Sequence, residues 1–283
     1  MRMSHRAFAA LAGLLLTGLA ASGAARAAAG DDVAEREARW KDLRQSLFGD
    51  RAVETAKPLV RMDLPDRAND AALVPLTMTM TDKDRIKGLY LVIDDNPAPL
   101  AAHFTFGPAA DPEELKLRIR VNTYSNVHAV AETKDGALIQ TTQFVKASGG
   151  CSAPMGMTDD EAMKGMGDMR LKFADPASGA ASPGATDSGK PIAATLMIRH
   201  PNFTGLQMNQ VSREYTPARY INRISVTYGT QNVFVMEGDI SISANPVINF
   251  ALRPAGKGPV TVVTQDNQGG RWERSFDVPA ASH

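Results

Sequence analysis

The chain has 283 residues, enough for two domains of ordinary size, with 43% hydrophobic and 22% charged residues, as in a globular protein. Its 31 Lys and Arg balance 31 Asp and Glu, and no basic run follows the first few residues, which argues against a nucleic-acid partner. There is a single cysteine, Cys151, so an intramolecular disulfide framework is excluded.

The first 29 residues read as a secretory signal. Arg2, His5 and Arg6 precede the apolar run AFAALAGLLLTGLAA, and small residues ending in ARAAA offer an A-x-A cleavage pattern within Ala25–Ala29. Cleavage removes Arg2, Arg6 and Arg26 and no acid, leaving 28 basic against 31 acidic residues, a net charge of −3. No later apolar run is long enough to span a bilayer. The expected location is the periplasm.

Asp32–Phe48 carries Val33, Trp40, Leu43 and Leu47 at helical spacing, with Gly49 just beyond. This predicts an N-terminal helix. From Leu73 the period becomes two. LVPLTMTM, GLYLVIDD, AAHFTF, LKLRIRV, VHAVAET and ALIQTTQFV read as short strands separated by turns such as DDNPAP and KDGA. Strands at this spacing without intervening helices predict an antiparallel β-sandwich over residues 31–150.

KASGGCSAPMG follows. In TDDEAMKGMGDMRLKF, Thr158 and Glu161 form a capping-box pattern. The spacing of Met163, Met166, Met169 and Phe173 predicts one helical face, in a helix weakened by Gly165 and Gly167. Ala174–Pro191 has almost nothing to bury and reads as a linker. ATLMIRH, YINRISVTYG, NVFVMEG, VINFALRP, PVTVVTQD and RWERSFDV then predict a second sandwich over 192–281, with DNQGG turning between the last two strands. The fold expected is all-β: an N-terminal helix, two sandwiches, and between them an arm and flexible linker over 151–191.

Little in the sequence points to an autonomous enzyme. Beyond the signal the histidines are His103, His128, His200 and His283, and no HExxH, C-x-x-C, G-x-S-x-G, P-loop or GxGxxG is present. The histidines read as structural, a zinc site has no support, and no cofactor is expected. Asn202-Phe203-Thr204 matches a glycosylation sequon, read here as chance. Cys151 is the remaining chemical group. The thiolate is the nucleophile; Lys146 is the nearest cation in sequence and a candidate to favour it. Gly149 and Gly150 widen the accessible backbone angles and suggest a flexible arm. Met155, Met157, Met163, Met166 and Met169 follow, all within a stretch of fifteen residues. Soft thioethers with a thiolate also suit Cu(I), with Cys151, Met163, Met166 and Met169 as ligands, but three methionines on one stripe favour packing.

RVNTYSNVHAVAETKDGALIQTTQFVKASGGC (Arg120–Cys151), with LVPLTMTM and GLYLVIDDNPAP, resembles SoxY, the sulfur-carrier subunit of the Sox sulfur-oxidation system. IRHPNFTGLQ, YINRISVTYGTQNVFVMEGDISISANPVINFALRP and DNQGGRWERSF resemble SoxZ. The whole is similar to fused SoxYZ-like carriers associated with quinoprotein dehydrogenases. The resemblance implies an immunoglobulin-like sandwich for each half and a non-enzymatic carrier or accessory role. It maps the carrier cysteine, which would hold a sulfur-containing intermediate, onto Cys151, and the preceding glycines onto Gly149 and Gly150. The implied partners are periplasmic oxidoreductases, Sox-type enzymes or a quinoprotein dehydrogenase system, with the two halves docking intramolecularly. A non-covalent accessory, maturation or electron-transfer role beside such a dehydrogenase is the alternative. SoxY ends in GGCGG; here Ser152 and Ala153 replace the following glycines and the chain continues.

Overall fold

A computed structural model of the protein describes residues 33–154, 156–174, 191–209, 212–253 and 258–278. The expected signal segment and nearly all of the expected linker lie outside the described residues.

The helix α1 (Val33–Phe48) comes first. The first half then supplies β1 (Val53–Glu54), β2 (Val60–Asp63), β3 (Val74–Met80), β4 (Ile86–Ile93), β5 (Leu100–Phe106), β6 (Ala110–Ile119), β7 (Ser125–Thr133) and β8 (Leu138–Val145). A short helix α2 (Asp159–Met163) and β9 (Met169–Phe173) follow the cysteine. The second half supplies β10 (Ile192–Ile198), β11 (Ile221–Tyr228), β12 (Gln231–Gly238), β13 (Val247–Leu252), β14 (Val260–Asp266) and β15 (Arg271–Phe276). The alternating burial of β3, β10 and β14 reflects the period-two pattern of a strand with one face on a core. The fold is all-β, as the alternation predicts.

Each half divides its strands between the same two sheets. One sheet runs β1-β8-β7-β4-β5-β12-β11-β14-β15 and the other β2-β3-β6-β13-β10-β9. The halves therefore join by strand pairing in both layers. β5 pairs antiparallel with β12, Phe104 opposite Met236, and β6 pairs with β13, Ala251 opposite Asp111. Phe104 and Phe234, one from each half, have ring centroids 5.8 Å apart. One continuous apolar core runs from Leu59 to Val262. Pairing of this kind satisfies edge strands that would otherwise be exposed.

The helix α1 packs outside the larger sheet on a smaller cluster, Trp40 and Phe48 against Val92, Val130 and Leu138. Trp40 stacks on His128 with centroids 3.7 Å apart. His128 is itself fixed by Asp94 at 3.0 Å and Thr142 at 2.7 Å.

The segment after the cysteine departs from the helical reading. The capping box at Thr158 and Glu161 forms, but α2 stops at Met163. Gly165 and Gly167 take φ of +67° and +90°, which no helix accommodates. Met169–Phe173 then becomes β9, paired with β10 from Met169–Ile198 to Phe173–Ala194. The methionines thus do not share a helical stripe. Met169 is buried in the common core, which makes it a packing residue rather than a candidate ligand beside Cys151.

Candidate functional site

After β8 the chain runs beside residues 66–68, with Lys146 N–H donating to Asp66 O and Ala68 N–H to Lys146 O, both at 2.9 Å. It then turns inward. Gly149 adopts φ +73°, a left-handed conformation suited to glycine. Its N–H donates to Asn122 O at 2.6 Å. Gly150 passes so close to its neighbours that a Cβ would lie 2.1 Å from Ala71 O and 2.5 Å from Val121 O. The two glycines expected to loosen an arm are used here to bend it and seat it.

Cys151 is fully buried. Its N–H makes a long contact to Asn122 Oδ1, 3.4 Å. Its carbonyl accepts from Thr204 Oγ1 at 2.5 Å, and Gln207 Nε2 donates to Ala153 O at 3.0 Å. Arg120 donates to Gly150 O at 3.2 Å and, on its other side, to Asn202 O at 3.3 Å. The cysteine loop is therefore held through its main-chain carbonyls by side chains from both halves.

The electrostatics keep the thiol protonated. Burial raises its pKa from an ordinary 9.0 to about 11, against a smaller lowering by the charge of Arg120. Lys146, the expected cation, instead reaches over the Tyr124 ring at 5.9 Å. Arg120 was not evident from the sequence. In LKLRIRV the alternation places Lys116, Arg118 and Arg120 together on what reads as an exposed face. But β6 ends at Ile119, and Arg120 is buried to 1%.

The receiving surface is built from His200–Gly205 and Ser243–Pro246. Asn202 sits at φ +45° and is fully buried. Its side chain donates to Ile242 O and Ser243 O at 3.3 and 3.0 Å and accepts from Ile221 N–H at 3.0 Å. His200 N–H donates to Asn245 Oδ1 at 3.1 Å, and Asn245 N–H returns to His200 O at 2.8 Å. These bonds fix the carbonyl of Asn202 toward Arg120 and the hydroxyl of Thr204 toward Cys151. The HPNFTG run is thus the seat of the cysteine loop and SANP braces it, roles their sequence alone did not disclose.

His200 is buried against Asp266, its Nε2 3.5 Å from Oδ2, too far for a good hydrogen bond. Its Nδ1 accepts from Asn202 N–H at 3.1 Å. Burial holds its pKa below the ordinary 6.5, with Asp266 opposing. A histidine kept neutral when folded and protonated when unfolded contributes its full stability above the unfolded pKa, and loses it as pH falls toward the folded one. The urea midpoint is expected to drop between pH 7.5 and 5.5, and to drop less in His200→Gln. A wild-type midpoint that is flat or rises as pH falls would show that His200 is not the responsible group.

Among the described residues no cluster of His, Cys, Asp and Glu suits a metal ion, and no helix is long and apolar enough to cross a membrane.

The fold and site define an all-β protein whose two halves share their sheets and enclose a single thiol at their junction. Residues 44–151 match the family model of sulfur oxidation protein SoxY, and residues 181–277 that of sulphur oxidation protein SoxZ. The chain is a fused SoxY-like and SoxZ-like protein, of the sulfur-oxidation carrier family. The SoxY match ends on Cys151 itself. No curated protein matches the chain. Among solved structures, it is similar to the sulfur carrier protein SoxY from Chlorobium limicola f thiosulfatophilum, with 23% identity, 40% of this chain and 96% of that one covered, and a TM-score of 0.35. A β-glycosidase from Bacteroides vulgatus is 12% identical over 79% of this chain, with a TM-score of 0.24. A β-glucuronidase of glycoside hydrolase family 2 is 11% identical over 80% of it, with a TM-score of 0.23. The chain spans only 25% and 21% of these last two.

Proposed function

We propose that the protein is a periplasmic covalent carrier that holds a sulfur-containing intermediate on Cys151 and presents it to partner oxidoreductases. The observation that carries this reading is the position of Cys151. The chain's only thiol stands at the last residue of the SoxY match, in a loop outside the strand ladders, held by hydrogen bonds to its carbonyls. Among the described residues no hydrogen bond holds the sulfur itself, so lifting the loop would expose it without unfolding either sheet.

Loading with a thiosulfate-type anion joins Cys151 Sγ to the sulfane sulfur. A new S–S bond forms, one proton leaves the thiol, and two electrons pass to the partner oxidoreductase. The closed loop protects the thiol at rest, where an exposed one would be open to oxidation.

The test is the intact mass of protein recovered from its host grown with and without thiosulfate. An adduct on wild type, mapped to Cys151 and lost in Cys151→Ser, is the expected result. Wild type that stays unmodified under both conditions, with Cys151→Ser supporting the same growth, overturns the carrier reading and favours a non-covalent role beside a quinoprotein dehydrogenase.

A further inference from the structure

Beside the cysteine loop lies a cleft of about 1000 Å³, walled by Ala153 and Pro154 on one side and by β9 and β10 on the other. Five arginines line it, Arg118, Arg120, Arg170, Arg199 and Arg274, against two aspartates, Asp70 and Asp168. Such an excess of one charge in a cleft focuses the field on an incoming anion. Arg199 and Arg274 each donate to one main-chain carbonyl, of Lys164 and Met169 respectively. Among the described residues none of the four outer arginines forms an ion pair.

Arg120 is the informative member. It is buried to 1%, yet its Nε has no hydrogen-bond partner. A buried guanidinium with an idle donor is costly unless something completes it. The two terminal nitrogens are already committed to Gly150 and Asn202. What remains is a nitrogen with no partner, beside Arg118 and Arg170, which form no ion pair among the described residues, and guanidinium groups fit tetrahedral oxyanions with paired donors.

We propose that this cleft is a binding site for a sulfur oxyanion of the thiosulfate and sulfate class, bound by Arg120 from within and by Arg118 and Arg170 from the rim. The choice of sulfur over phosphorus rests on the carrier reading above. Arg120, whose charge acts on the Cys151 thiol, and Ala153, two residues along the loop from it, both line the cleft, so the site would receive the anionic end of a cargo before or after transfer to the thiol.

The test uses full-length Cys151→Ser protein, which forms no adduct, so binding is read independently of loading. Calorimetric titration at low ionic strength with sodium thiosulfate, sulfate and phosphate is expected to show saturable one-to-one binding. Thiosulfate should bind tighter than phosphate, and Arg118→Gln/Arg170→Gln should weaken it at least about tenfold, the loss of one charge-assisted contact. Both residues are exposed and no main-chain carbonyl depends on them among the described residues, so the fold is expected to persist. In the unsubstituted arginine background, the Arg120 Nε–H resonance should shift along the same titration curve. No saturable binding, a motionless Arg120 resonance, or binding unchanged by the double substitution overturns the site. Phosphate equal to or tighter than thiosulfate overturns the sulfur assignment. An adduct on wild type without anion binding sinks the cleft and spares the carrier.

Discussion

Gly150→Ala is expected to expel the cysteine loop from its seat while leaving both sheets in place. The new methyl would meet two backbone carbonyl oxygens, Ala71 O at 2.1 Å and Val121 O at 2.5 Å. Neither oxygen is free to retreat. Ala71 O already accepts from Val121 N–H at 2.9 Å, which ties the two residues to each other. Val121, just past β6, is fully buried in the core, and Ala71, in the turn before β3, packs against it. The loop is the softer partner, so it moves. Its departure loses the contacts from Arg120 and Thr204 and uncovers Cys151. Overpacking of this kind costs about 1–3 kcal/mol, and the released hydrogen bonds add to that. An unfolding free energy lowered by at least about 2 kcal/mol in urea titration, together with fast alkylation of the thiol in the native protein, is the expected pair of results. Alkylation at the wild-type rate in a stable variant would mean that the loop tolerates the methyl in place. Gly149→Ala differs in kind: only Ser152 Oγ lies near, at 3.8 Å, and its penalty comes from φ +73°.

The contrast explains how far the sequence could be read. Period-two runs such as LVPLTMTM and PVTVVTQD settle strand identity because each strand has one face on a core, and those strands form where the alternation places them. Val60–Asp63 and Met169–Phe173 escaped notice for different reasons. The first is four residues long. In the second, Met163, Met166, Met169 and Phe173 fit helical spacing while Met169, Leu171 and Phe173 fit the alternation of a strand, and Gly165 and Gly167, at positive φ, end the helix before it reaches them. The pairing of β5 with β12 and of β6 with β13 leaves no mark in either strand, since an edge strand satisfied by a neighbour has the same alternation as one facing solvent. The position of Cys151 after paired glycines was legible. Its burial was not, because glycine serves equally for freedom and for close approach, and only Ala71 O and Val121 O decide between them. Arg120 was hidden by its own strand pattern.

The second large effect concerns the thiol itself. In the native protein Cys151 should react with iodoacetamide about a hundredfold more slowly than a free cysteine near pH 8, even before access is considered, because a pKa raised from 9.0 to about 11 lowers the thiolate fraction tenfold per unit. Access lowers the rate further, since reaction waits for the loop to open. The same shift stabilises the fold: the contribution is complete below pH 9 and is lost as pH rises through about 11. Thr204→Val removes the hydroxyl that donates to Cys151 O at 2.5 Å and accepts from Leu206 N–H at 3.2 Å, at nearly constant volume. One buried hydrogen bond is worth about 1–1.5 kcal/mol, so the open fraction should rise roughly tenfold, and native alkylation with it. Gln207→Met, which removes the donor to Ala153 O, should act in the same direction. In denaturant all three proteins should react alike, since the latch then no longer exists. If Thr204→Val alkylates at the wild-type rate in the native state, the loop is held by burial alone and the second half does not control the thiol. If the rate rises as expected, the SoxZ-like half is the element that decides when the SoxY-like cysteine is available, and a partner that engages Thr204 and Gln207 would open the carrier by displacement.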